Sequence, residues 1–464
     1  MLQLTIIIPS YNRAELVDQT LKSLTKQSYT DFQIILVDHG STDHTEEIYR
    51  KYDGQLHIDY YKIERDGYSA GTPRHFGVYK ATTPLILFLD SGTIAPSWLI
   101  SAHLAFHESH PGYVGVGMQY RNDYVSRDFP LWENLDLAYP EFAKAQFIEI
   151  REGVDLEHSC MPWLYSWSCD LSMPREAYIV SGGFDLELRG WGFDDVNLSY
   201  KISKHGYKFA FVEDGWTLEI PQERNDIVNM MASGQRHTWE CYYKQQGLGL
   251  EVICVSMRLL NVALRKHEAL PTTDVAAFRA LIKEKMRSSR PHESHEQLFR
   301  FLAEVGQEVA TWPAVPAEAR EGITGPTLLV GGTPQDAEWY DHVTLTDDRV
   351  ISTPSLWSCC GIVIPLPDQA LGAVVVSDIW KKLGWSVLYP FGIPSTPLLE
   401  VLVSEIKRTA RQAVFVHTSS IAGDSVETLE NLCRTYDLEY KIVWVGEQQE
   451  GEPTQLVSNN VLAD

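Results

Sequence analysis

Short apolar runs recur along the first half of the chain, and three of them end in polar clusters. Residues 5–8 lead into Pro9-Ser10-Tyr11-Asn12-Arg13 and residues 34–37 into Asp38-His39-Gly40-Ser41-Thr42-Asp43. Residues 85–89 lead into Asp90-Ser91-Gly92. Residues 14–25 and 44–52 have helical apolar spacing, and 58–61 and 113–118 read as further strands. Strands separated by single helices predict a mostly parallel sheet with helices on both faces. Such sheets bind ligands at the carboxyl ends of their strands. An Asp placed there can accept hydrogen bonds from a ribose or a base N–H. It can also hold a divalent ion that bridges two phosphates. Any one of these acids alone reads better as a helix cap, as Ser41-Thr42-Asp43 would be for a helix at His44. Three clusters on one edge favour a nucleotide site.

The chain has 464 residues, which calls for two or three domains. Three regions separate. Residues 1–220 carry the alternation just described. Residues 221–320 read as a helical connector or subdomain, with helical spacing at 274–286 and 296–310 and with Pro271, Pro291, Pro313 and Pro316 as punctuation. Residues 321–464 alternate again: 327–330, 343–346, 373–376, 413–416 and 442–445 read as strands, and 398–411 as a helix.

A net charge of −23 argues against nucleic acid or an anionic lipid surface as a general partner. No stretch is long and apolar enough to cross a bilayer. The opening Met1–Pro9 run lacks a basic leader and a cleavage site, so it reads as a buried strand and the protein as cytoplasmic. Seven Cys with no C-x-x-C spacing suggest buried free thiols, neither a disulfide framework nor a zinc site.

The order of motifs resembles family 2 of the inverting glycosyltransferases with the GT-A fold. The matching pieces are the two clusters from Pro9 and Val37, then Pro73-Arg74-His75-Phe76-Gly77 and Leu87-Phe88-Leu89-Asp90-Ser91-Gly92. They continue with Gly182-Gly183-Phe184-Asp185 and Gly190-Trp191-Gly192-Phe193-Asp194-Asp195, the last resembling a Gly-Trp-Gly-x-Glu-Asp subgroup. The resemblance covers about half of the chain. It implies an α/β protein with a GT-A nucleotide-sugar transferase domain at 1–220.

It also implies roles. Pro9, Tyr11, Asp38, Arg74, Asp90 and Ser91 would bind the donor, a nucleotide-diphosphate sugar and by the family pattern a UDP-sugar. Asp38 would contact the base or ribose. Arg74 would pair with the diphosphate or with an aspartate; a surface salt bridge is the plain alternative. Asp90 opens the family's Asp-x-Asp metal motif, but its partner position is Gly92. A divalent Mn or Mg would then need another ligand, and Glu219 stands where relatives often place a His. Inverting transfer needs a base to deprotonate the acceptor. Asp195 is assigned that role, with Asp194 binding hydroxyls or exchanging roles with it. Trp191 and Gly192 would face the acceptor, whether a small molecule, a glycan or a peptide. Helix capping is the plain alternative for Asp194 and Asp195. Residues 163–169, rich in aromatics and hydroxyls, read as either pocket or core. His158 and His237 read as ordinary.

Residues 321–464 loosely resemble the second half of a methyltransferase-type Rossmann domain. One Gly331-Gly332 pair followed by Pro334 makes a poor cofactor loop. A degenerate Rossmann-like α/β copy for acceptor binding or homodimer formation is the expectation, with a second, methylating activity disfavoured. The alternative for the whole chain is a non-catalytic binding or scaffold protein on a degenerate transferase fold.

Overall fold

A computed structural model of the chain describes residues 3–65, 67, 69–121, 149, 151, 153–220, 227–256, 291–312, 314–344, 355–357, 359–384, 397–418, 423 and 425–445. The chain divides into two compact units, Met1–His237 and Thr238–Asp464. The helix expected at 274–286 lies outside the described residues.

The first unit runs β1 (Leu4–Ser10), α1 (Ala14–Leu24), β2 (Gln33–Asp38), α2 (Thr45–Tyr52), β3 (Ile58–Lys62), α3 (Gly71–Lys80) and β4 (Leu85–Leu89). It continues with β5 (Thr93–Ile94), α4 (Leu99–Ser109), β6 (Tyr113–Arg121), β7 (Asp170–Pro174), α5 (Arg175–Val180), α6 (Asp194–Lys204) and β8 (Lys208–Glu219). The division between units falls within the next helix, α7 (Ile227–Gln245). Eight strands form one sheet in the order β3-β2-β1-β4-β7-β6-β8-β5.

Strand β1 is a continuous apolar run because neighbours cover both its edges and both its faces. Ile6 and Ile8 pack with Val17 and Leu21 of α1 on one face. On the other face α3 lies so close that a Cβ on Gly77 would stand 2.6 Å from Ile7 Cγ2. Gly77→Ala is therefore expected to destabilise the unit by about 1–3 kcal/mol, read as a lower denaturant midpoint. An unchanged midpoint would mean that α3 can move away freely.

The sheet is mostly parallel, as expected, with β6 and β8 also paired in parallel and only β7 and β5 reversed. The β3-β2-β1-β4 half is parallel, but β7 runs antiparallel to both β4 and β6, and β5 antiparallel to β8. The reversal escapes a reading of periodicity because β7 buries polar residues. His103 of α4 meets Ser172 Oγ through Nδ1 at 2.8 Å and Asp170 Oδ1 through Nε2 at 3.0 Å. His107 Nε2 meets the same Ser172 hydroxyl at 2.8 Å. Burial, and then the neighbouring His103, push the His107 imidazole down to about 3, so this ring is neutral in the interior.

The second unit contains α8 (Pro291–Val309), β9 (Thr327–Val330), β10 (His342–Thr344), β11 (Leu356–Trp357), β12 (Leu371–Val376), α9 (Leu398–Thr409), β13 (Ala410–Thr418), α10 (Val426–Thr435) and β14 (Glu439–Val445). Its six strands are all parallel, in the order β11-β10-β9-β12-β13-β14. Counted within the unit this is 3-2-1-4-5-6, the doubly wound order, as the expected Rossmann-like domain requires. Beyond β9 and β12 the two following turns approach each other closely. A Cβ on Gly331 would stand 2.7 Å from Ser377 Oγ and 3.0 Å from Ile379 Cβ.

Before this sheet, residues 248–256 form a helix that carries Glu251 into the interior. Its carboxylate accepts the backbone N–H groups of Cys360 at 2.5 Å, Ile362 at 2.8 Å and Val363 at 3.3 Å. Burial pushes Glu251 up to about 7 while these amides pull the other way. All seven cysteines are free thiols, and six are buried.

Candidate active site

The carboxyl ends of β1, β2 and β4 lie side by side, as parallel register demands. Ser10 is opposite Asp38, and Asp90 follows β4 directly. Asp38 is buried, with Oδ1 accepting the Ser41 amide at 2.7 Å and Oδ2 the Tyr60 hydroxyl at 2.7 Å. Each oxygen keeps one lone pair for a ligand. Asp43 is a cap, accepting from the Ala14 amide at 3.0 Å and the Thr45 amide at 3.1 Å. Pro9 lies at the end of β1 and Tyr11 just beyond it. The Tyr11 ring carries the Arg65 guanidinium 3.3 Å from its centroid, a cation stacked on an aromatic face. Arg65 did not stand out in the sequence, because a lone Arg in a loop has no pattern to mark it.

Arg74 comes from α3 and is buried. It donates to Asp90 Oδ1. Burial opposes its charge, but Asp90, then Asp194, then Asp195 hold it in the charged form. The helix thus sets one guanidinium among three carboxylates. Its Nε–H is buried with no hydrogen-bond partner among the described residues. The Asp90 side chain is 40% exposed, so it is open to a ligand as well. Ser91 beside it is buried.

Gly92 has φ +97°, a left-handed conformation that a carboxylate-bearing residue would adopt only under strain. Its N–H donates to Thr20 Oγ1 at 2.9 Å and its C=O accepts the Ile220 amide at 2.9 Å. A tight turn stapled to α1 and to the end of β8 therefore stands where an Asp-x-Asp motif would put its second acid. Glu219 ends β8 opposite Thr93, on the strand beside this turn. Among the described residues no three His, Cys, Asp or Glu side chains converge closely enough to hold a metal ion alone.

The acid pair opens α6. Phe193 precedes it in a left-handed conformation, φ 69°, and its C=O accepts the Asn197 amide at 2.9 Å. Asp194 and Asp195 are both half-buried. Asp195 Oδ1 accepts the Val196 amide at 2.8 Å, and Oδ2 the Ser168 amide at 3.4 Å. Desolvation, and then the charge of Asp194, push Asp195 up to about 7, while Arg74 pulls it down. A carboxyl group poised near neutrality suits a general base.

In the loop before α6, Trp191 is 42% exposed, free to offer a flat wall to a ligand. Gly190 at φ +126° leaves no room for a side chain, since a Cβ would meet Ser233 Oγ at 2.0 Å. Gly192 packs against Gly234, its missing Cβ lying 3.3 Å from the Gly234 Cα.

Trp163 and Tyr165 are core, Trp163 packing on Tyr200, whereas the Ser168 amide reaches Asp195. His158 is exposed and pairs with Asp155 at 2.9 Å.

Residues 5–161 match the model of glycosyl transferase family 2. Over these residues the chain is similar to the family 2 glycosyltransferases. A validoxylamine A glucosyltransferase of Streptomyces hygroscopicus subsp. jinggangensis is 29% identical over 416 residues, covering 81% of this chain and 90% of that protein. That coverage exceeds the first unit, so the likeness to this relative includes part of the second. A chondroitin synthase of Escherichia coli is 25% identical over 244 residues, 48% of this chain and 36% of that one. Among solved structures, S. aureus TarS 1-349 in complex with UDP-GlcNAc matches with a TM-score of 0.41 at 19% identity, over 52% of this chain and 64% of that one.

These matches support glycosyltransferase activity, and the alternative of a non-catalytic scaffold is not favoured. The family match ends before Asp194 and Asp195, so their roles rest on the geometry above. No helix among the described residues is long and apolar enough to cross a membrane.

Proposed function

We propose that this glycosyltransferase inverts the anomeric centre in a single displacement, moving a sugar from a UDP-sugar to a hydroxyl of a small polyhydroxylated acceptor. The observation that carries this reading is the charged Arg74 guanidinium set among Asp90, Asp194 and Asp195, with Asp90 still 40% exposed to a ligand. A diphosphate that reaches Asp90 meets the charge of this guanidinium there. Asp195 takes the proton of the acceptor hydroxyl as its oxygen attacks the anomeric carbon. The bond from that carbon to the diphosphate oxygen breaks, and the nucleoside diphosphate leaves with the electron pair. Arg74 balances the charge that gathers there. Tyr11 and Arg65 form a flat platform for the base, beside Asp38.

A glucosyl donor and a small-molecule acceptor are favoured by the validoxylamine A glucosyltransferase, which matches over most of both chains. Thermal shift with a panel of UDP- and GDP-sugars, followed by transfer to validoxylamine A as probe acceptor, tests this. The matching donor stabilises the fold by mass action. No stabilisation and no turnover with any donor would overturn it.

Asp90, in the turn after β4, and Glu219, whose strand end is joined to that turn by the Ile220 amide and the Gly92 carbonyl, would hold a divalent Mn or Mg. The donor's diphosphate would complete the hard-oxygen set that two carboxylates leave unfinished. Such an ion would neutralise diphosphate charge. Asp90→Ala is expected to raise the donor Kd about tenfold or more in calorimetry with manganese. An unchanged Kd would remove Asp90 from donor and metal binding.

A further inference from the structure

Three residues of α7 hold the loop that precedes the acid pair, and nothing in their sequence marks them. Ser233, Arg236 and His237 lie at i, i+3 and i+4, one face of a helix. The Ser233 hydroxyl accepts the Trp191 amide at 3.1 Å. The Arg236 guanidinium donates to the Arg189 carbonyl at 2.6 Å. His237 is fully buried, with Nδ1 2.6 Å from the Gly192 carbonyl and Nε2 3.0 Å from the Arg189 carbonyl. Both ring nitrogens of this side chain thus face main-chain carbonyl oxygens of the loop. Between these contacts Gly234 abuts Gly192 with no side chain on either. The loop thus offers α7 its main-chain groups at Arg189, Trp191 and Gly192, and the Trp191 side chain stays exposed.

We propose that Ser233, Arg236 and His237 are positioning residues that fix the Arg189–Gly192 main chain, and through it the indole of Trp191 and the start of α6. Their effect falls on the acceptor, because the loop bears Trp191 and leads into Asp194-Asp195. The donor platform at Tyr11 and Asp38 is built on other strands. The acceptor part of this inference rests on the proposed transfer reaction. The loop part does not.

The test measures hydrogen exchange by mass spectrometry in the full chain, wild type against His237→Ala, His237→Gln and Arg236→Ala. The same proteins give acceptor KM, kcat and donor Kd. Amides at 190–195 are expected to exchange about tenfold or more faster in His237→Ala, while those of β1 do not change. Acceptor KM is expected to rise about tenfold or more with donor Kd within twofold. His237→Gln, which keeps a side-chain N–H donor, is expected to restore part of both effects. Arg236→Ala removes the exposed contact to the Arg189 carbonyl and gives a smaller change of the same kind, so the test survives even if His237→Ala folds poorly. Unchanged exchange at 190–195 in both alanine variants would overturn the proposal. So would acceptor KM and donor Kd rising together without rescue by Gln. If no variant, nor the wild type, transfers sugar, the reaction assignment fails while the exchange result still decides on the clamp.

Discussion

Asp195→Asn is expected to lower kcat by about 10²–10⁴-fold while leaving donor affinity within twofold. The substitution keeps size and shape, and its one amide oxygen can still accept the Val196 N–H, while the NH2 group gives up the long Ser168 contact of 3.4 Å. The main loss is the capacity to take a proton at neutral pH. In the unaltered enzyme that capacity depends on pH in a definite sense. Asp195 lies raised to about 7, chiefly by burial and then by Asp194. A base must be ionised to act, so kcat/KM should climb as the pH rises through about 7 and fall about tenfold per unit well below it. Loss of this acidic limb in Asp195→Asn, measured over pH 5.5–8.5, is the sharper check. A variant that kept near wild-type turnover would transfer the role of base to another group, with Asp194 the first to be tested.

Arg74→Met is expected to act on two readouts at once. Donor Kd should rise about 10–100-fold, since charge-assisted contacts to the diphosphate are lost. The acidic limb of kcat/KM should also move to higher pH. Arg74 is the cation that draws Asp195 downward, and without it desolvation and Asp194 act unopposed. Stability should fall as well, by about 1–3 kcal/mol rather than the larger cost of a fully buried pair, because water reaches the 40%-exposed Asp90. Arg74→Lys restores the charge but not the planar fork, so its pH limb should recover further than its donor affinity. Should Arg74→Met leave the pH profile in place, Arg74 and Asp195 are not electrostatically linked.

Much of the fold was legible, and its limits are physical. Strands β1, β2 and β4 announce themselves because parallel strands covered on both faces are apolar throughout. Asp38 and Asp90 follow from where such strands end. Strand β7 is less readable, because Asp170 and Ser172 face buried histidines of α4 and its partners lie far away in sequence. Gly92 looks in sequence like a missing ligand. Its φ of +97° and its two main-chain bonds show a turn that glycine adopts without the strain another residue would bring. Arg74 was readable as a site residue, but its relation to three carboxylates from two segments was not. The contacts of His237 were invisible because it acts on carbonyl oxygens, which every residue possesses and no motif records. In the second unit alternation gave the layers, whereas the 3-2-1-4-5-6 order exists only in the pairing.

Glu251 has a consequence for how the second unit responds to its surroundings. The amides of Cys360, Ile362 and Val363 are the kind of ring that elsewhere waits for a dissolved anion. Here the chain supplies its own, tethered and out of reach of screening salt. The order of that loop is thus insulated from metabolite supply and ionic strength. Protons still reach it, and the sign is fixed by the upward displacement of Glu251 to about 7. As pH rises from the ordinary glutamate range through that value, ionisation withdraws stability from the unit, and above it nothing further is lost at this site.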